Sequence, residues 1–441
     1  MTDGEHDEPA GDRPAPVVPA GDDANAPPRL GQVEASGDES RGTPEPVSPA
    51  PGSHRLGRNV IALGATSFFT DVASEMMYPL LPLFLATVLG ASASYIGIIE
   101  GAAESVAALL KLLSGWWSDR VASRKRLVLL GYGIASVIRP LTGSARTAAQ
   151  VLAIRVTDRV GKGIRSTPRD ALIAESVNPA IRGRAFGFHA AMDNAGAVVG
   201  PLLAFGIIEL WHPSLRTVFW LTAIPGVLAF LTLWWFVRDT PHEISAGHRP
   251  KLLDADLSHR FWMYLAVVFL FTLGNSTDAF LLLRARQLGV AVALAPVLWA
   301  FFNFVKAALG TYGGALSDRV GRRPLIVGGW TLYAAVYFGF AIAGVAWQAW
   351  ALFAVYAVFY AMTEGTEKAL VVDLVSAARK GTALGWYNLA IGLGAFPASL
   401  LFGAVWDRAG AEVAFIMGAS LALVAAIAMW IVAPRAVPSR V

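Results

Sequence analysis

Twelve runs of about 20 mostly apolar residues, the length an α-helix needs to cross about 30 Å of hydrocarbon, dominate the chain from Asn59 onward. They begin near Asn59, Ser94, Leu127, Ala148, Gly183, Thr217, Phe261, Ala291, Leu325, Gln348, Gly381 and Glu412. The runs are continuously apolar with no period of two, which excludes a transmembrane β-barrel. At 55% hydrophobic and 15% charged over 441 residues, the chain suits a bilayer and not water. The expected fold is an all-α membrane protein of twelve transmembrane helices. The chain has no Cys, which excludes a disulfide framework and any thiolate metal site.

Residues 1–55 are rich in Pro, Gly, Asp, Glu and Ala and almost free of aromatic side chains. They cannot bury enough apolar surface to offset chain entropy, so a disordered tail is expected. No early basic cluster is followed by a short apolar run, so no cleaved signal peptide is expected. Basic residues alternate between connections: Arg120, Arg124, Lys125 and Arg126, then Arg182 and Arg184, then Arg249, Lys251 and Arg260, then Arg319, Arg322 and Arg323, then Arg379 and Lys380 mark one side. The other side is nearly bare. This asymmetry places both termini in the cytoplasm, and it accounts for the net charge of +4 without a nucleic-acid partner.

The sequence repeats itself. GWWSDRVASRKR at Gly115 returns as GALSDRVGRRPL at Gly314, and GRAFGFHAA at Gly183 returns as GTALGWYNL at Gly381. The offsets, 199 and 198 residues, agree on one duplication of six spans. The organisation expected is a cytoplasmic tail (1–55), a six-helix half (56–238), a cytoplasmic linker (239–259), a second half (260–434) and a short tail (435–441). Two parallel halves place a binding site at their interface near the bilayer midplane.

The loop G-x-x-S-D-R-x-G-R-R after the second span of each half resembles the signature of the major facilitator superfamily. Gly314, Ser317, Asp318, Arg319, Gly321, Arg322 and Arg323 match it fully; Gly115, Ser118, Asp119, Arg120 and Arg124 match in the first copy, where Ala122 replaces a glycine. The fifth span resembles the antiporter motif of drug/proton exchangers at Gly196, Gly200 and Pro201, with Ala204 and Phe205 in place of its glycine pair. The fourth span is similar to an uncharacterised prokaryotic branch reading D-R-x-G-K-G-x-R-x-x-P-R-D-A-L. The arginine motif of exporters in that span, R-x-x-x-G-x-G, is met in part: Arg159 and Gly163 fit, and Arg165 stands at the second glycine. The resemblance implies two pseudo-symmetric six-helix halves, a monomeric multi-pass protein of the bacterial inner membrane, and a latch in which Asp119 and Asp318 cap a neighbouring helix and pair with arginine.

The fourth span itself is anomalous, because eight of the 21 residues in RVTDRVGKGIRSTPRDALIAE are charged. Facing lipid, each charge near the bilayer centre would cost about 2.5–3.5 kcal/mol. On a helix Arg155, Asp158, Arg159, Lys162, Arg165, Arg169 and Asp170 fall within an arc of about 140°, one polar stripe. Acidic faces elsewhere answer it: Asp71 and Glu75 in the first span, Glu100 and Glu104 beside Lys111 in the second, Asp193 in the fifth, Asp278 and Asn275 in the seventh, and Glu364, Glu367 and Lys368 in the tenth. Arg139, Asn303 and Lys306 add polar groups in the third and eighth. These residues are expected to form a water-accessible network between the halves. VGKGIRS is no phosphate loop, since Val156 stands where the first glycine is needed.

The function expected is secondary active transport of a small molecule by alternating access, proton-coupled and outward, without a cofactor. Asp71, Glu75, Glu104 and Asp193 are the candidate proton carriers; Trp299, Phe301, Phe302 and Phe304 could stack on an aromatic substrate. The basic stripe leaves an organic anion open as substrate, and Asp71, Glu75, His189 and Asp193 with Met76 or Met77 leave a divalent metal open. No HExxH, nucleophile elbow or other catalytic motif lies in the spans, so an enzyme is not expected.

Overall fold

A computed structural model describes residues 56–118, 121, 123–178, 181–239, 257–376 and 379–433, all within one compact unit. The tails at 1–55 and 435–441, most of the 239–259 linker, and Asp119, Arg120 and Ala122 of the first signature loop lie outside the described residues. No strand occurs among the described residues.

The helices, in chain order, are α1 (Arg58–Met77) and α2 (Leu81–Thr87), α3 (Ala93–Ser118), α4 (Arg124–Ile138), α5 (Ala148–Glu175), α6 (Arg182–Trp211), α7 (Leu215–Leu221) and α8 (Ala223–Phe236). The second half holds α9 (His259–Gly274) and α10 (Ala279–Gln287), α11 (Ala295–Val320), α12 (Arg322–Ile342), α13 (Ala346–Asp373), α14 (Lys380–Ala409) and α15 (Ala411–Val432). With α1–α2, α7–α8 and α9–α10 each read as one interrupted rod, these are the twelve spans, and every start lies within four residues of the position expected from sequence. The first span is interrupted by a 3-10 turn at Tyr78–Leu80, where Pro79 removes a backbone donor. The seventh is interrupted at Asn275–Asp278, a run of four polar residues that sequence hydropathy alone reads straight through.

Nine helical stretches among the described residues are long and apolar enough to cross a membrane on their own. The long helices that fall short are α1, α3 and α5, which carry Asp71 and Glu75, Glu100, Glu104 and Lys111, and the charged stripe. Their place in the bundle depends on partners.

The duplication is visible in individual hydrogen bonds. Gln150 Oε1 accepts the Arg146 and Thr147 amides at 2.7 and 3.3 Å to start α5. Gln348, 198 residues on, accepts the Gly344 and Val345 amides at 2.7 and 3.1 Å to start α13. Either side chain satisfies donors that a helix start would otherwise leave open. At the other end of the bundle Arg124 pairs with Glu175, and Arg322 lies 3.4 Å from Asp373; these pairs are again 198 residues apart. The signature-loop arginines thus tie α4 to α5 and α12 to α13. Gly321, the turn glycine of the second copy, has φ +97°, a conformation that glycine alone adopts without strain.

The halves meet most closely where α3 runs along α14. A Cβ on Gly97 would stand 2.2 Å from the Ser399 carbonyl oxygen, and one on Gly403 2.5 Å from that of Ala93. Beyond this contact the Asp407 carboxylate accepts the Ala93 and Ser94 amides at 2.9 and 2.8 Å, capping α3 from the opposite half. The bundle is therefore closed at the Asp407 end. Charged side chains towards the signature-loop end are open to solvent: Glu364 and Lys368 are each 50% exposed and Asp170 49%.

Asp407→Ala should remove the cap and leave two amides at a helix N-terminus without an acceptor, a cost of about 1 kcal/mol. A lower unfolding temperature in detergent, with the helical circular dichroism unchanged, is the expected outcome; an unchanged unfolding temperature would show that the cap adds nothing.

Candidate functional site

The α5 stripe points inward, and its first members are fully buried. Arg155 grips Glu100 of α3 in a two-pronged bond, Nε to Oε1 at 2.9 Å and Nη2 to Oε2 at 2.6 Å. Asp158 lies 3.9 Å from Arg155 and receives Arg139 at 2.8 Å, while Arg139 also donates to the Thr70 carbonyl of α1 at 3.2 Å. Side-chain exposures are 2–4% throughout this set. Four helices are thereby stitched together by charge-assisted bonds between buried side chains.

Further along, the stripe opens. Arg159 bonds Glu104 at 3.0 Å, and Glu104 is 48% exposed to the cavity. Arg165 lies 4.3 Å above the Tyr132 ring, a cation–π seat. Arg169 donates to Ser67 at 3.2 Å and to Asp170 at 2.9 Å. Lys162 and Asp71 have no ion pair within 4 Å among the described residues. The charges acting on Asp71 are Asp193, Glu75, Lys162 and Arg165.

The antiporter-like segment stands directly behind these carboxylates. A Cβ on Gly196 would fall 2.9 Å from the Asp71 Cβ, and one on Gly200 3.1 Å from that of Glu75, so α6 can approach α1 only with glycine there. Pro201 follows, buried within α6. Asp193, one turn earlier, lies 3.6 Å from His189, which contacts Ser67 at 3.4 Å. Glu75 accepts the indole N–H of Trp299 at 2.6 Å, a bond between the halves, and the Trp299 ring packs on Tyr78 at 4.9 Å.

The second half contributes a different chemistry. Positions 198 residues after Arg139, Arg155, Asp158 and Lys162 hold Tyr337, Phe353, Tyr356 and Tyr360. Aromatic rings thus replace the charged stripe, stacking at 4.2 Å between Tyr333 and Tyr337 and 5.5 Å between Phe302 and Tyr356. Asp278, at the break of the seventh span, accepts Tyr356 at 2.6 Å and Tyr360 at 3.5 Å. Lys306 is 3.2 Å from Glu364 and 4.5 Å above the Tyr360 ring, and Lys368 is 3.6 Å from Glu364. Asn303 bonds only the Trp299 carbonyl of its own helix, at 3.1 Å.

Glu367 departs from the expectation that it shares the cavity face of Glu364 and Lys368. It is buried between α13 and its neighbours, held by Trp330 of α12 at 2.8 Å and Tyr387 of α14 at 2.6 Å. Phe301 and Phe304 are exposed at 36% and 60%, whereas Phe302 is buried in the aromatic cluster. Of the signature residues, Arg319 is exposed and Arg323 lies 4.1 Å from the Trp430 ring; the side chains of Asp119, Arg120 and Asp318 lie outside what is described, and Gly115 and Gly314 sit within α3 and α11. No group of three or more His, Asp or Glu side chains among the described residues is gathered as a metal site.

Between the halves lies a cavity of about 220 Å³, walled by Tyr78, Glu100 and Glu104 from the first half and by Thr272, Asn275–Asp278, Tyr360 and α14 from the second. The tyrosines at 356 and 360 were not among the residues singled out from sequence. The signal for them was available, since the repeat offset maps them onto the charged stripe.

Glu100→Gln should leave Arg155 buried without its counter-charge, destabilising the fold by about 3–5 kcal/mol, whereas pairing it with Arg155→Leu should recover most of that loss. Thermal unfolding of the single and double variants in detergent checks this; equal losses in both would mean that packing, and not the charge pair, holds α3 to α5.

The sequence profile of the Major Facilitator Superfamily matches residues 63–366 and 269–441. An uncharacterized MFS-type transporter of Methanocaldococcus jannaschii is 33% identical over 375 residues, 84% of this chain and 93% of the archaeal one. The multidrug resistance protein MdtG of Yersinia enterocolitica is 28% identical over 199 residues, 44% of this chain and 47% of that protein. The crystal structure of the nucleoside transporter NupG shares the fold with a TM-score of 0.72 at 13% identity, over 85% of this chain and 99% of that one. With twelve helices in two repeated halves around a charged central cavity, the chain belongs to the major facilitator superfamily and is a membrane transporter.

Proposed function

We propose that the protein is a proton-coupled secondary transporter that exports a small molecule by alternating access. Basic connections orient both termini and both signature loops to the cytoplasm, so the conformation described is open inward and closed outward. The observation that carries proton coupling is Asp71: a carboxylate of α1 without an ion pair among the described residues, beside Lys162 and Arg165. A cation approaching Asp71 during rocking favours its ionised form and releases a proton; withdrawal favours protonation. Glu75 is the second carrier candidate, because its bond to Trp299 spans the two halves and must break when they part. Glu104 serves better as a counter-charge for Arg159, and Asp193 as a partner of His189.

Outward direction draws on the antiporter-like Gly196, Gly200 and Pro201 and on the partial similarity to a multidrug resistance protein. Lys162, a cation of the α5 stripe without an ion pair among the described residues, favours an anionic substrate as the second reading.

In proteoliposomes carrying a pH gradient, Asp71→Asn should lower gradient-driven flux about tenfold or more while leaving substrate exchange at equal pH intact. A proton-sensitive dye together with solute counterflow reads both; wild-type coupling in the variant would remove Asp71 from the mechanism.

The closed outer contact yields a second test. Gly97→Leu inserts a side chain where a Cβ already meets the Ser399 carbonyl at 2.2 Å, so it should favour the outward-open state. The chain has no Cys, and a single Lys368→Cys reports on the inner opening. Labelling by a membrane-impermeant maleimide from the cytoplasmic side should fall several-fold in the Gly97→Leu background; undiminished labelling would mean that α3 and α14 do not separate.

A further inference from the structure

We propose that the cavity at the break of the seventh span recognises a small organic monocation, with Asp278 as its counter-ion and the rings of Tyr78 and Tyr360 as its walls. Such a site gives a substrate class to the transporter described above and rests on that reading.

Three carboxylates line the cavity, and the structure disposes of two. Glu100 is gripped by Arg155 and Glu104 by Arg159. Asp278 receives only tyrosine hydroxyls, and among the described residues no cation lies within 4 Å of it. A carboxylate has about four lone-pair sites, so acceptor capacity remains. The helix ends at the break, the C-terminus of α9 and the N-terminus of α10, carry partial charges of opposite sign that offset each other. The charge of Lys306 acts on Asp278 from beyond 4 Å, but Lys306 is already paired with Glu364, and the Asp278 carboxylate faces the space between the halves. Irregular backbone at this depth is tolerated where it lines a cavity, and the Asn275–Asp278 segment does so.

The walls support the same chemistry. The protein's own cations already lie against both rings: Lys306 is 4.5 Å from the Tyr360 centroid and the Arg155 guanidinium 6.0 Å from that of Tyr78. Lys306 is also held by Glu364 at 3.2 Å, so it has somewhere to go when a ligand cation takes its place on the ring. Among the residues that wall this cavity there is no cation to seat an anion, and drawing Arg155 away from Glu100 would uncover a buried carboxylate. At about 220 Å³ the space is smaller than the roughly 300–1,000 Å³ of drug-sized pockets, which points to a ligand of one or two rings.

The probes are 1-methyl-4-phenylpyridinium, a flat two-ring monocation, and 4-phenylbenzoate, an anion of similar outline, titrated calorimetrically into the purified full-length protein in detergent. Saturable binding of the cation is expected, weakened about tenfold by Asp278→Asn and about threefold by Tyr360→Leu, and unchanged by the distant Glu412→Gln. Asp278→Glu keeps the charge and should retain binding, which guards against an Asn variant that fails to fold; monodisperse elution is required of each. Binding of the anion in place of the cation, cation affinity indifferent to Asp278→Asn, or no saturable cation binding by folded wild-type protein would each overturn the site. Flux measurements separate the two readings: proton-driven transport of the anion alone leaves a transporter and refutes the monocation, whereas cation binding without flux of any solute leaves the site and refutes transport.

Discussion

The buried contact of Arg155 with Glu100, continued through Asp158 to Arg139, is the interaction on which the rest of this structure depends. Four ionised side chains at 2–4% exposure stand in a layer where an isolated charge is expensive. Their mutual bonds make α3, α4 and α5 a single unit, and Arg139 fastens it to α1 through the Thr70 carbonyl. None of α1, α3 and α5 is apolar enough to cross a membrane alone, so their charged side chains must be matched by partners inside the bundle. A rigid half is also what alternating access requires, since rocking needs bodies that move without deforming.

The second half solves the same packing problem with rings. Tyr337, Tyr356 and Tyr360 occupy the positions of Arg139, Asp158 and Lys162 in the duplication. Hydroxyls on large apolar bodies bond to Asp278 and to the Gly274 carbonyl. The cavity therefore has one wall whose charges are mutually neutralised and one wall of tyrosines around a carboxylate. That asymmetry, within a fold of two similar halves, gives the cavity its chemical character.

Closure at one end and exposure at the other follow from contacts of different kinds. The closed end combines backbone approach at Gly97 and Gly403 with the Asp407 cap, all of them contacts between α3 and α14. At the open end the signature arginines stay within their own halves, on Glu175 and Asp373. Ion pairs within each half and close backbone approach between the halves along α3 and α14 are the arrangement expected of two bodies rocking about a shared site.

By itself the sequence determined the number and position of the spans, because a bilayer demands about 20 apolar residues per helix, and the duplication, because its motifs recur at one offset. It also required that the α5 charges face inward, since exposure to lipid would be prohibitive. The tertiary structure alone decided which acid meets which base. Helical periodicity placed Glu100, Glu104, Asp158 and Asp71 on inward faces alike, yet only the packing of α3 against α5 gives Glu100 and Glu104 their arginines and leaves Asp71 without one. The same limit applies to Glu367, which shares a helix turn with Glu364 and Lys368 but is buried against Trp330 and Tyr387. Sequence spacing fixes the direction of a side chain about its own axis; partners 37 and 20 residues away are set by how neighbouring helices lie, which no local period encodes.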